Sequence, residues 1–350
     1  MVHSFFRENI LKMAGYTPGE QPQQDGYVKL NTNENPYPPS PRVAEAIMEV
    51  LRRGIQKYPD PLATSFRQTA AQMLGVDPDW ILAGNGSDDI LTIVTRAFVG
   101  EGDWVRYPYP SYLLYGVLAQ LQGAQGEHVF FEKDWSLGAA FWQVRDRLKL
   151  IYLANPNSPS GTMISKDAVR SWLHDLSCPI LIDEAYVDFA DESCLALVRE
   201  NERVMISRTL SKSYALAGLR FGFLIAQPQI IRELRKVKDS YNCDALSIAG
   251  ACAALNDQEW LRQTRTKILT TRERLTQELQ ALGFEVLPSQ ANFVWCSRSD
   301  RQSWEIYQTL KAHKVLVRYM NYPEWGDGLR ITVGTDVEVE ILLDTLRKIL

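Results

Sequence analysis

Short, nearly continuous apolar runs recur through the middle of the chain and constrain its fold more than any other feature. Residues 180–182, 204–206 and 221–226 are examples. Strands that are covered on both faces carry such runs, whereas strands with one wet face alternate apolar and polar residues. Amphipathic helical patterns, such as residues 62–74, lie between the runs. Strands that alternate with helices indicate an α/β fold with a mostly parallel sheet flanked by helices.

Beyond residue 227 the pattern changes to longer helices and shorter strands. Helical patterns cover residues 230–239, 247–256, 259–282 and 336–350. Strand patterns cover residues 284–287, 293–296, 315–318 and 329–333. Strands of this kind with flanking helices predict a second, smaller α/β domain.

The first part of the chain contains few periodic segments. Pro, Gly and Gln are frequent up to Gly26, which predicts an extended N-terminal arm. A proline-dense loop follows, and Ser40 and Pro41 mark the start of a helix. The predicted organisation is an arm over residues 1–26, a large domain over 55–238, and a small domain formed by 27–54 and 239–350.

Composition argues against several classes of function. A net charge of −4 over 350 residues gives no basis for binding nucleic acid or an acidic membrane surface. No stretch approaches the ~18–20 apolar residues of a membrane span, and the first residues lack the apolar core of a signal peptide. The five cysteines form no CxxC pair and the four histidines lie apart. We therefore expect no metal site, no membrane and a cytoplasmic location.

Residues 207–220 hold the strongest chemical signal. They place Lys212 between small hydroxyl residues and end in Arg220. A nucleophilic lysine needs a compact, partly desolvated surround, and hydroxyls with an arginine suit a phosphate. The alternative is a solvated helix start with Thr209 or Ser211 as its N-cap.

Asp183 follows the apolar run 180–182 directly, at the predicted carboxyl end of a buried strand. Ligands of open α/β sheets bind at that edge. A carboxylate there could bind the protonated nitrogen of a heterocyclic ligand. Tyr186 lies three residues further on and could bind an oxygen of the same ring. The alternatives are an N-cap for Asp183 and a half-buried core position for Tyr186.

Other polar and aromatic residues follow predicted strands in the same way. Gly86, Ser87 and Asp88 open a helix, whose N–H groups and dipole would suit a phosphate. The Tyr112 side chain could stack on the flat ring of such a ligand. Asn157 lies in a polar turn, where its amide could donate a hydrogen bond to an oxygen of that ring. Ordinary turns and core packing remain the alternatives.

Arg330 lies inside the apolar run 329–333. A guanidinium in such a run must find an anion or reach solvent, so it is a candidate ligand for a carboxylate or phosphate. A structural ion pair is the alternative. Arg318 closes the run 315–317 in the same way, with a stronger claim to be a surface residue.

These motifs resemble those of the class II pyridoxal-phosphate aminotransferases of fold type I, and specifically the histidinol-phosphate aminotransferase family. The resemblance covers most of the chain. It is carried by residues 30–37, 58–60, 183–186, 208–212, 217–220 and 329–334.

The resemblance implies pyridoxal 5′-phosphate as the cofactor and Lys212 as the catalytic lysine. It implies cofactor binding by Tyr58, Gly86, Ser87, Asp88, Tyr112, Asn157, Asp183, Tyr186, Thr209, Ser211, Lys212 and Arg220, within the large domain. Tyr58 would come from the neighbouring subunit, which implies a homodimer. It implies substrate binding by Tyr16, Asn33, Arg318 and Arg330.

One departure concerns the turn after the strand at residues 150–154. Relatives commonly have Asn-Asn-Pro where this chain has Asn157, Ser158 and Pro159. Either Ser158 makes the contact to the cofactor ring oxygen, or Asn157 shifts to do so.

The implied reaction is transamination between L-histidinol phosphate and 2-oxoglutarate, which gives imidazole-acetol phosphate and L-glutamate in L-histidine biosynthesis. The alternatives are a threonine-phosphate decarboxylase or an aromatic or broad-range aminotransferase of the same family. A regulator that keeps the cofactor site as a sensor, and a small-ligand-binding protein, are rivals from other classes.

Overall fold

A seven-stranded sheet with helices on both faces dominates the computed structural model, which describes residues 5–350. In chain order the strands of the described residues are β1 (Val28–Lys29), β2 (Ile81–Gly84), β3 (Trp104–Tyr109), β4 (Gln125–Phe130), β5 (Leu148–Ala154), β6 (Ile180–Asp183), β7 (Val204–Thr209), β8 (Gly222–Ile225), β9 (Glu285–Val286), β10 (Phe293–Ser297), β11 (Val315–Leu316), β12 (Arg318–Tyr322) and β13 (Gly326–Thr332). The strand order of the large sheet is β2-β8-β7-β6-β5-β3-β4. Only β8 runs against its neighbours in this sheet. The predicted α/β fold with a mostly parallel sheet is therefore confirmed.

The α-helices of the described residues follow the predicted alternation with the strands. They are α1 (Glu8–Lys12), α2 (Pro41–Arg53), α3 (Thr64–Leu74), α4 (Ser87–Phe98), α5 (Leu114–Leu121), α6 (Lys166–Trp172), α7 (Leu197–Glu200), α8 (Pro228–Leu234), α9 (Ala245–Leu255), α10 (Gln258–Ala281), α11 (Ser303–Ala312) and α12 (Asp336–Ile349). At the start of α2, Pro41 occupies the first turn and the Ser40 hydroxyl accepts a hydrogen bond from the N–H of Arg42, as the sequence predicts.

The strands of the large sheet are apolar throughout because both faces are covered. In β5, Ile151 and Leu153 belong to one hydrophobic cluster. Leu150 and Tyr152 point to the opposite face and belong to another. Successive side chains of a strand point to opposite faces, so a strand buried on both sides needs an uninterrupted apolar run.

A smaller antiparallel sheet, ordered β12-β13-β10-β9, forms the C-terminal part of the fold. It packs with α10, α11 and α12 around a third hydrophobic cluster. Residues near the start of the chain join this part, since β1 pairs in parallel with β11. Helix α2 packs against α9, and Val43 of α2 belongs to the cluster of the large sheet. The division into domains predicted above stays a prediction.

Three local expectations differ from the structure. Helix α1 lies in the arm, where the sequence predicts extended chain; residues 1–4 of that arm lie outside the described residues. Helix α8 ends at Leu234 rather than at residue 239. Arg318 begins β12 instead of closing the preceding strand, because it pairs with Arg330 of β13 in the smaller sheet.

The structure of residues 5–350 also shows what membrane-spanning helices and metal-binding clusters this part of the chain contains. Within that range, no helix is long and apolar enough to cross a membrane. The same residues contain no group of three or more His, Cys, Asp and Glu side chains able to hold a metal ion.

Candidate active site

A cleft of about 300 Å³ opens at the carboxyl edge of the large sheet. Most of the residues that the sequence analysis singles out line it: Tyr16, Asn33, Ser87, Asp88, Tyr112, Asp183, Tyr186, Thr209, Ser211, Lys212, Arg220, Arg318 and Arg330. Gly86, Asn157 and Tyr58 lie outside this lining. The edge position follows from the parallel strands, whose carboxyl ends face one side.

Lys212 lies in the loop after β7 and is half-buried. Its Nζ donates a hydrogen bond to the carbonyl oxygen of Thr32, at 3.1 Å. The same atom lies 5.8 Å from the centre of the Tyr186 ring. The amine is thus held in the cleft by an uncharged carbonyl, which leaves it available as a nucleophile once deprotonated.

Asp183 ends β6 and is buried, with 5% of its surface exposed. Its Oδ2 accepts a hydrogen bond from the Tyr115 hydroxyl and its Oδ1 one from the Ser207 hydroxyl, each at 2.9 Å. Burial raises the pKa of this carboxyl from 3.8 to about 6, and the two hydrogen bonds oppose that shift. A cationic group of a ligand in the cleft would lower the pKa of Asp183 again and would form an ion pair with its carboxylate.

An anion cradle lies where β2 meets α4. Ser87 begins α4, and Gly86 before it has φ +84°. A Cβ on Gly86 would lie 2.6 Å from Nη2 of Arg220, and one on Gly222 would lie 2.5 Å from the Ser87 nitrogen. Two glycines therefore leave space in front of a helix N-terminus, where N–H groups and the helix dipole favour an anion.

Hydroxyl and guanidinium donors complete this cradle. Arg220 Nη1 donates to the Ser211 hydroxyl at 3.3 Å, and the Thr209 hydroxyl donates to that of Ser211 at 3.1 Å. Arg220 itself has φ +52°, and its Nη2 lies 3.8 Å from Oδ2 of Asp88. Neutral hydroxyls beside one guanidinium suit a phosphate.

Aromatic side chains enclose the middle of the cleft. The Tyr112 hydroxyl donates to Asp88 at 3.2 Å, and burial raises the pKa of Tyr112 above its ordinary value. Its ring meets that of Tyr16 edge-on, with centroids 5.7 Å apart. The Tyr186 hydroxyl accepts a hydrogen bond from Nδ2 of Asn33 at 2.9 Å. A flat ligand between these rings would be shielded from water.

Two arginines from the smaller sheet lie at the cleft. Arg330 donates from Nη1 to the Ser158 hydroxyl and from Nη2 to the carbonyl of Asn31, each at 3.0 Å. Its Nε is buried without a hydrogen-bond partner among residues 5–350. Arg318 donates to the carbonyls of Thr17 and Pro18 at 3.3 and 3.4 Å. These partners are neutral carbonyl oxygens and one hydroxyl. They do not compensate the positive charge of either guanidinium, which can therefore attract an anionic ligand.

The turn after β5 separates Asn157 from Ser158. The Asn157 amide donates to the Pro110 carbonyl and to the Ser160 hydroxyl, and its oxygen accepts from Ser111. Ser158 instead lines the cleft and contacts Arg330. Which of the two residues would contact a ligand ring stays a prediction. Because the Asn157 amide already makes hydrogen bonds within the protein, Ser158 is favoured.

Tyr58 is 81% exposed and stacks on Tyr241, with ring centroids 4.5 Å apart. Its side chain does not reach the cleft of its own chain. This position agrees with a role in a neighbouring subunit, which stays a prediction.

Sequence reasoning missed the residues that hold Asp183 and Arg330 in place. Tyr115 lies in α5, and Tyr112 precedes the start of that helix. Ser207 lies beside Asp183 in the adjacent strand. The spacing of these residues along the chain does not relate Tyr115 or Ser207 to Asp183, and nothing in the spacing of Asn31 and Ser158 relates them to Arg330.

Comparisons with known proteins show the family to which this chain belongs. A family model described as aminotransferase class I and II matches residues 25–346. The chain is 55% identical to a histidinol-phosphate aminotransferase of Rhodopirellula baltica, over 96% of this chain and 93% of that relative. It is 44% identical to one of Geotalea uraniireducens, over 98% and 99% of the two chains. The crystal structure of histidinol-phosphate aminotransferase from Sinorhizobium meliloti in complex with pyridoxal-5′-phosphate superposes with a TM-score of 0.84 at 26% identity, covering 92% and 91% of the two chains.

The raised pKa of Asp183 predicts a specific pH dependence of stability for the ligand-free protein. Between about pH 4 and about pH 6 the folded carboxyl keeps a proton that the unfolded chain has lost, so the free energy of unfolding falls as the pH rises through this window. The loss amounts to about 3 kcal/mol, at about 1.4 kcal/mol per pKa unit. The amide of Asp183→Asn is neutral at every pH, so this variant should not lose stability in the window.

The measurement is urea unfolding of the wild type and of Asp183→Asn at a series of pH values. The variant should gain on the wild type by about 3 kcal/mol between about pH 4 and about pH 7. Asp175→Asn, which changes an exposed carboxyl, is the control and should show no such trend. A stability difference for Asp183→Asn that is constant with pH would contradict the assignment.

Proposed function

Because this chain belongs to the class I and II aminotransferases, we propose that it transfers the amino group between L-histidinol phosphate and 2-oxoglutarate in L-histidine biosynthesis. The products of this exchange are imidazole-acetol phosphate and L-glutamate. The observation that carries the proposal is the 55% identity, over nearly the whole of both chains, to a relative named for this reaction.

Pyridoxal 5′-phosphate is the cofactor of this enzyme family, and the residues of the cleft fit it. The buried Asp183 receives hydrogen bonds only from neutral groups among those described above, so a protonated ring nitrogen would supply its missing positive partner. The glycine-lined cradle before α4 would accept the cofactor phosphate. The cleft of about 300 Å³ that both groups line leaves room for the ring.

Each part of the cofactor has proposed ligands in this chain. Asp183 would hold the ring nitrogen, Tyr186 with Ser158 or Asn157 the ring oxygen, and Tyr112 would cover the ring. The phosphate would be bound by Ser87, Asp88, Thr209, Ser211 and Arg220 next to Gly86, with Tyr58 from a neighbouring subunit.

When bound, the cofactor withdraws electrons from the amine-bearing carbon of the substrate, which makes loss of a proton there possible. The Lys212 amine would attach the cofactor and would move that proton as a general base and acid. Asp183, held ionised, would keep the proton on the ring nitrogen. Tyr112 and Tyr16 would limit the access of water.

The anionic end of the substrate has its own group of side chains. Arg330 and Arg318 come from the smaller sheet, whereas the cofactor cradle comes from the large one. A guanidinium fork can bind either a carboxylate or a phosphate in a bidentate manner. The same arginines would therefore accept the phosphate of histidinol phosphate and a carboxylate of glutamate, with Tyr16 and Asn33 beside them.

A homodimer is part of the proposal. Large apolar side chains are exposed on α2 and in the segment after it: Met48, Leu51, Ile55, Leu62 and Tyr58. Exposed apolar surface of this kind is typical of an interface between protein chains. Since Tyr58 does not reach its own cleft, a second copy of the chain would bring it to one.

A cytoplasmic location also belongs to the proposal. All five cysteines are free, and burial raises the pKa of the Cys194 and Cys243 thiols to about 12. Unpaired thiols suit a reducing compartment. Cell fractionation tests this, and recovery outside the cytoplasm would oppose it.

Product analysis tests the proposed reaction. The purified, cofactor-loaded enzyme should convert 2-oxoglutarate to glutamate with histidinol phosphate as the amino donor. Lys212→Ala should lose nearly all of this turnover, because no other amine replaces the catalytic one. Carbon dioxide released from threonine phosphate, or faster turnover of aromatic amino acids, would instead favour the other enzymes of the family, and absence of any turnover would favour a sensor.

Arg330→Ala should impair the reaction of histidinol phosphate selectively. Loss of one partner from a desolvated charge pair costs about 2–5 kcal/mol, so kcat/KM should fall at least ~30-fold. The phosphate-free analogue histidinol should lose far less. Single-turnover amino transfer from each donor measures this without the glutamate half-reaction, and equal losses for both donors would mean that Arg330 has a structural role.

Complementation between two variants tests the shared site. Tyr58→Ala and Lys212→Ala should each be impaired alone, yet a mixed dimer restores one complete site. Random pairing of co-expressed chains should then recover about a quarter of the wild-type activity. No recovery, or a fully active monomer in sedimentation experiments, would contradict the role of Tyr58.

A further inference from the structure

Two buried hydroxyl groups converge on the carboxylate of Asp183. Tyr115 on α5 and Ser207 on β7 both have 0% of their surface exposed, and each donates to one oxygen of that carboxylate at 2.9 Å. Both oxygens of Asp183 are thereby bound by hydroxyls that are themselves shielded from solvent.

The ring of Tyr115 has little freedom to move. It stacks on Tyr152 with centroids 4.5 Å apart and an angle of 6° between the planes. Tyr152 is anchored in turn, since its hydroxyl shares a hydrogen bond of 2.6 Å with that of Thr95 and donates to the Leu91 carbonyl at 3.0 Å. The stacked Tyr152 ring of β5 therefore helps to hold the Tyr115 hydroxyl at Asp183.

The surroundings of Asp183 otherwise oppose its charge. Burial disfavours the ionised form, and the negative charge of Asp88 at the start of α4 does so as well. Three phenols also face it, those of Tyr112, Tyr152 and Tyr115 itself, and Lys212 and Tyr186 line the same cleft. The interactions that favour the carboxylate are the hydrogen bonds from Tyr115, from Ser207 and from the N–H of Ala185.

We propose that Tyr115 is a positioning residue for Asp183, whose hydroxyl, together with that of Ser207, keeps the carboxylate ionised and fixes its orientation in the cleft. The consequence for catalysis rests on the proposed function. A neutral carboxylic acid could not hold a proton on the cofactor ring nitrogen, whereas a carboxylate aimed by two hydroxyls can. Tyr115 would thus act on the cofactor through Asp183, without touching substrate.

The test measures Asp183 directly in the cofactor-free protein. Carboxyl carbons of aspartate are labelled with ¹³C, the Asp183 resonance is assigned by its loss in Asp183→Asn, and its titration is followed by NMR. Tyr115→Phe should raise the titration midpoint by about one to two pH units, the value of a hydrogen bond to a charged group. Tyr152→Phe keeps the ring that stacks on Tyr115 and removes only a buried hydroxyl that does not contact Asp183, so its midpoint should stay at the wild-type value.

Ser207→Ala supplies a second arm that leaves the aromatic stack intact, and it should raise the midpoint in the same direction. Midpoints unchanged in both Tyr115→Phe and Ser207→Ala, or shifted equally in Tyr152→Phe, would overturn the proposal. In the loaded enzyme, the pH at which the visible absorption of the cofactor changes should move for Tyr115→Phe and not for Tyr152→Phe. The NMR titration needs no turnover, so its outcome is separate from success or failure of the proposed transamination.

Discussion

The matched ends of three buried parallel strands are the constraint on which the rest of this site depends. In the registers of β5, β6 and β7, Ala154 pairs with Asp183, and Asp183 pairs with Ser207. Because both faces of the sheet are covered, a carboxylate at this level cannot turn to solvent. It meets hydroxyls instead, and its burial raises its pKa. The lysine loop and the anion cradle are arranged around that point.

A buried ion pair fastens two of these strand ends one residue further along. Glu184 follows Asp183 and accepts hydrogen bonds from Arg208, at 2.8 and 3.0 Å, and from the N–H of Cys194. Arg208 lies in β7 directly before Thr209. Such a pair adds little net stability over apolar packing, but it specifies one arrangement, since either charge alone would be costly. The pair therefore connects the end of β6, where Asp183 lies, to the end of β7, after which the loop that contains Lys212 begins.

One loop from the start of the chain links the two halves of the cleft. The carbonyl of Thr32 accepts from Lys212, and the carbonyl of Asn31 accepts from Arg330. The proposed catalytic amine and the proposed substrate anchor are therefore held by adjacent peptide groups. A shift of this loop would move both side chains together.

The sequence by itself determined the elements that depend on local pattern: the α/β alternation, the buried strand that ends at Asp183, the loop of Lys212 and the glycine turn before α4. Apolar period, strand length and glycine conformation are properties of neighbouring residues, so they can be read along the chain. Only the tertiary structure decided that Tyr115 reaches Asp183 across 68 positions and that Ser158 reaches Arg330 across 172. Hydrogen bonds depend on distances and angles of tenths of an ångström and a few degrees, set by how whole elements pack, and linear spacing does not encode them.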